Sequence, residues 1–133
     1  MANPVEHILH DSRNRTIVKH VINGTNTTES ILDVSDLSYY LGAGDLVSLA
    51  AISWSVDAGT QILWDASTNV IALHLHGSGR YGGSDGMPAI PNNAGSGVTG
   101  DVLLTTDASC RGYIVCVYHK VVTAAGVGWT GAA

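Results

Sequence analysis

In the segment QILWDASTNVIALHLHGSG, residues 61–79, two histidines stand one residue apart. On an extended strand His74 and His76 share a face, and two imidazoles so placed can hold one transition-metal ion on a β scaffold. A mononuclear site needs at least a third ligand. Asp85 and His119 are the candidates, and nothing in the spacing brings either to the pair. The pair therefore reads as the outward or intersubunit face of a strand with Leu73 and Leu75 in the core, and no metal or other cofactor is expected.

Other chemistry has still less support. His7, His10, His20 and His119 are scattered, and no G-x-S-x-G elbow backs a serine triad. GSGRYGGSDGMP has the composition of a phosphate cradle but contains no Gly-Lys-Ser/Thr, and no helix pattern follows it. Asp57 and Asp65 border turns, where Asp is favoured because its carboxylate bonds nearby backbone. The expectation is a protein without catalytic residues. Two alternatives remain: a metal-binding module or enzyme using His74 and His76, and a glycan-binding module using Arg80, Tyr81 and Asp85.

The chain has 133 residues, a one-domain length, and carries 6 Lys and Arg against 11 Asp and Glu. A net charge of −5 provides no broad basic face for a phosphate backbone, so nucleic acid is not an expected partner. Only 13% of residues are charged while 45% are hydrophobic, which leaves room for large protein contacts. No apolar run approaches a membrane span, and MANPVEHILHDSRNRT lacks the pattern of a signal peptide, so neither membrane insertion nor secretion is expected.

The elements that must position these residues are strands. RTIVKHVI alternates Thr16, Val18, His20 and Ile22 against Ile17, Lys19 and Val21, and ILDVSDL follows after a turn. LVSLAAISWSVD places Ser48, Ile52, Trp54 and Val56 on one side and Ser53, Ser55 and Asp57 on the other. AGT then turns into QILWD, ASTN into VIALHLH, and DVLLTTD and GYIVCVYHKVV complete about seven strands. With no αβ alternation, this predicts an all-β single antiparallel β-sandwich or jelly-roll-like domain over residues 14–122. Residues 1–13 are expected to be a flexible arm with at most a turn of helix, 77–100 a long Gly-rich exposed loop, and 123–133 a flexible tail. Cys110 and Cys116 are expected to be free, because a bridge between them would fold a strand back within five residues.

Arg13, Arg15 and Lys19 gather half of the basic residues at the end of the arm, and with Arg80, Tyr81 and the tail's Trp129 they are the interface candidates. The segments LWDAST and GSGVTGDVLLTT, in the order strand, ISWSVD, glycine loop and GYIVCVYHKV, resemble a family of small virion structural proteins of tailed, especially marine, bacteriophages. The resemblance runs from about residue 14 to 122. It implies a β-rich capsid decoration or cement protein on the outer capsid surface, with the major capsid protein as partner, or else a tail or head-to-tail accessory protein. Shell geometry adds the expectation of a homotrimer at local three-fold positions.

Overall fold

In the computed structural model, which describes residues 5–12, 14–37, 47–83 and 86–120, the chain is all-β and antiparallel. Its strands are β1 (Val5–Asp11), β2 (Arg15–Gly24), β3 (Glu29–Leu32), β4 (Val47–Trp64), β5 (Val70–Gly82), β6 (Val102–Thr106) and β7 (Cys110–Lys120). A 3-10 turn, Val34–Asp36, is begun by Asp33, whose carboxylate accepts from the Ser35 amide at 3.1 Å. No helix of the described residues is long and apolar enough to cross a membrane.

The hydrogen-bonded order is β1-β2-β7-β4-β6-β3, with β5 on the other side of β4. Register explains it. β4 pairs with β7 over Val47–Val56 and with β6 over Thr60–Trp64, so β6 and β7 are successive stretches of one line antiparallel to β4. β2 and β3 follow the same line on its other side. Between them the Thr106 amide donates to the Asn26 carbonyl at 2.9 Å, and the Asn26 amide to Thr106 Oγ1 at 2.8 Å.

All these lines break at one level. β2 stops before β3 at residues 25–28, β6 before β7 at 107–109, and β4 slips register against β5 across Asp57–Gly59. Extra residues bend a strand, and here the bends coincide, so a nearly closed sheet folds over itself. The result is the expected sandwich, made from one sheet. Side chains of both limbs enter a single core that includes Val18, Ile31, Leu49, Ile62, Trp64, Leu104 and Ile114. The corner is tied by the Asp107 amide donating to the Gly59 carbonyl at 2.8 Å and the Arg111 amide to Asp57 Oδ1 at 2.7 Å.

Several expected boundaries are corrected. Residues 5–11 are not a loose arm or a turn of helix but β1, paired with β2 from Val5↔Val21 to Asp11↔Thr16. Backbone pairing and a buried ion pair hold it: Lys120 Nζ donates to Asp11 Oδ1 at 2.7 Å. The AGT turn is the corner of an unbroken β4. The Gly-rich loop begins six residues later than expected, because 77–82 continue β5, and ILDVSDL is strand only through Leu32. Register slips move two faces. The slip between Leu49 and Ala51 turns Ser48 away from the core and Leu49 into it. A slip opposite Ile62 and Leu63 leaves Ala72 without a partner, so Ile71 leaves the face of Leu73 and Leu75 and is 44% exposed.

The DASTN turn forms as expected, with the Ala66 amide donating to Asn69 Oδ1 at 3.1 Å. Cys110 and Cys116 are free and buried. Arg13, Asp85, Trp129 and the tail 123–133 lie outside the described residues.

Candidate functional site

The inward face of β2 carries Thr16, Val18, His20 and Ile22, all buried, which leaves Arg15, Ile17, Lys19 and Val21 on the outer face. β7 alternates in step. Cross-strand pairing then lays out rows across the outer sheet: Arg15 beside His119 and Ser48, Ile17 beside Val117 and Ala51, and Val21 beside Tyr113 and Ser55. Lys19 shares its row with Val115, Ser53 and, on β5, Arg80. Strand spacing puts Lys19 and Arg80 about 14 Å apart across that row.

The structure thus brings three of the expected interface residues, Arg15, Lys19 and Arg80, onto one face. Among the described residues of these rows there is no Asp or Glu, because Glu6 and Asp11 pair with the inward positions His20 and Thr16. The remaining described carboxylates lie on the other limb or at the corner. Tyr81 does not join the face. It stands opposite Ile52, packs against the core, and donates its hydroxyl to the Pro88 carbonyl at 2.7 Å.

The apolar part of the face went unrecognised in the sequence. Val21 is 46% exposed and Tyr113 41%, and half-buried Ile17, Val115 and Val117 lie between the cations. The available signal was that β2 and β7 are β-branched on both alternating faces, where a purely solvent-facing side should be polar.

His74 and His76 are exposed on either side of the buried Leu75, so both point outward from β5. His74 pairs with Gln61 and His119 with Ser48, at opposite ends of β4, so His119 is not their third ligand. Among the described residues no group of three or more His, Cys, Asp or Glu is placed to hold a metal within one chain.

Beneath the outer face lies an inward polar group. His20 is 1% exposed, and its Nε2 stands 3.7 Å from Glu6 Oε2. Burial holds the His20 pKa down to about 4. Glu6 is raised by its own burial and then by the nearby charges of Asp36 and Asp33. Burial pushes the Cys116 thiol up to about 12 and the Tyr118 phenol well above its usual value. At the far limb Asp101 is raised, first by burial, although it accepts from the Val34 amide at 3.0 Å; Asp33, Asp65 and Asp36 add to the rise. Of these groups His20, Cys116 and Tyr118 are buried, Asp101 is half-buried and Glu6 is exposed, and the loss of hydration on folding is the first cause of every shift.

No protein-family model matches the chain, and no curated protein is similar to it.

Proposed function

We propose that the protein is a non-enzymatic structural subunit of a virion, a capsid decoration protein that applies its outer β2-β7-β4 face, with the Arg80 end of β5, to the major capsid protein. The observation that carries this is the composition of that face. On a chain of net charge −5, it combines three cations with exposed aliphatic and aromatic side chains and has no carboxylate among its described rows. Such a surface fits an acidic protein surface with apolar spots: the apolar centre supplies area and the cations supply register and encounter rate. Binding to the assembled shell and not to its dissociated parts stabilises the shell by mass action. The resemblance of LWDAST and GSGVTGDVLLTT to phage structural proteins supports the same assignment.

The glycan-binding alternative loses its main feature, since the Tyr81 ring is packed and its hydroxyl is engaged. The test is to add the protein to capsids that lack it and image them. Uniform decoration, weakened about tenfold by Lys19→Glu with Arg80→Glu, is the expected result. Attachment at one vertex only would replace this assignment with the tail or head-to-tail one, and no binding to any particle would end both.

A further inference from the structure

β5 is an edge. It pairs with β4 alone, and from Val70 to Arg80 no described strand lies on its other side. Natural edge strands are blunted by Pro, Lys or inward-pointing charge. This stretch has none of these, Arg80 at its end being its one charged residue; its irregularities, the extra residue Ala72 and the slip opposite Asp57–Gly59, flank the run His74–His76 and leave those three residues as the open part of the edge. Its middle carries the exposed His74 and His76 flanking the buried Leu75.

One chain therefore supplies two imidazoles on one side of an open stretch of edge, and within the chain no third ligand is placed among the described residues. A second copy supplies the remainder. When two identical edge strands pair antiparallel about a two-fold axis at Leu75, His74 of each chain stands opposite His76 of the other. Directly opposed residues have Cβ atoms about 4.5–5.5 Å apart, so four imidazoles converge on one face of the joined sheet. Leu75 meets its own symmetry mate, and the apolar interior continues across the seam. We infer that β5 is a self-pairing edge whose two copies build a four-histidine site for a zinc-class transition metal, using His74 and His76 from each.

The chemistry suits the metal: neutral imidazole is a preferred ligand of Zn²⁺, and four nitrogen ligands complete a closed tetrahedral site of the structural kind. The contact is isologous, so it ends at two chains and does not propagate as a filament. It adjoins the face assigned to the capsid, since Arg80 belongs to the same strand, but it rests on the histidines and the edge and stands without that assignment.

Native mass spectrometry of the intact protein tests it, titrated with zinc chloride and then treated with EDTA. The expected species is two chains with one zinc, returning to single chains on chelation. His74→Ala with His76→Ala should keep the far-ultraviolet circular dichroism of the parent and form no zinc-dependent dimer. His74→Ala alone removes two of the four ligands and should also lose stoichiometric zinc. Zinc on single chains, a dimer indifferent to EDTA or to the double substitution, a metal-free trimer, or no zinc bound at all would each overturn the inference.

Discussion

Acidification should destabilise this protein through His20. The ring sits on the inward side of β2, 1% exposed, and neither of its nitrogens has a hydrogen-bond partner. Burial lowers its pKa from 6.5 to about 4. The unfolded chain takes up a proton as the pH falls below 6.5, whereas the folded one resists until near 4. Stability is therefore complete above that window and is lost as the pH drops through it. For a single group with these two values, the loss between about pH 7.5 and about pH 5 is roughly 2 kcal/mol, and about 3 kcal/mol for the whole shift.

Glu6 and Asp101 act in the opposite sense, because carboxylates with raised folded pKa values bind protons more readily in the fold and regain stability on acidification. They are common to the parent and a His20→Leu variant, so the difference in pH dependence reports the histidine together with its coupling to Glu6. Urea unfolding of both proteins at the two pH values is the assay. With a urea dependence of roughly 2 kcal/mol per M, the parent midpoint should fall about 1 M further than the variant's. Equal falls would refute the reasoning. A smaller fall in the parent would mean that protonated His20 gains more from Glu6 at 3.7 Å than burial takes away.

Asp11→Ala should cost about 3 kcal/mol or more in urea or thermal unfolding, since it strips a carboxylate from the fully buried Lys120 ammonium. Lys120→Met should cost less, because Asp11 keeps 17% exposure to water. Gly112→Ala should cost about 2–3 kcal/mol by the same measurement: its φ is +152°, and an added methyl would meet the Ser55 carbonyl oxygen. Gly95→Ala, with open space around it, should stay within about 0.5 kcal/mol of the parent and serves as the control.

Sequence periodicity was informative wherever a strand kept its register. Thr16 to Ile22 alternate in the structure as in the pattern, and the two thiols lie where two inward positions of one strand place them. It failed where an extra residue changes the parity. The slips near Ala50 and Ala72 each exchange the faces of a strand, and no residue type marks either position, since alanine fits both. AGT looked like a turn because glycine and alanine suit turns; it is a corner because β6, β7 and β5 hold β4 in line on both sides of it. β1 was missed for a different reason. Glu6 to His10 are exposed, so their types record little burial, and the strand exists through pairing with β2 and through Lys120, more than a hundred positions away. The count of seven strands agreed because splitting β4 offset the loss of β1.

The cations of the candidate face were legible in the sequence, but their common face was not. Arg15 and Lys19 are neighbours in sequence, but Arg80 reaches Lys19's row only because β7 and β4 are inserted between β2 and β5. That insertion also sorts the charge. Asp33, Asp36, Asp65 and Asp101 gather where the 3-10 turn meets the far limb, close enough that the other three help to raise Asp101. One limb thus presents cations among aliphatic side chains while the other concentrates carboxylates. A molecule so polarised favours an acidic surface on its cationic limb and repels a second copy that presents the same limb. The uncharged middle of β5 is the place where two copies can meet without that repulsion, which is where the exposed histidines stand.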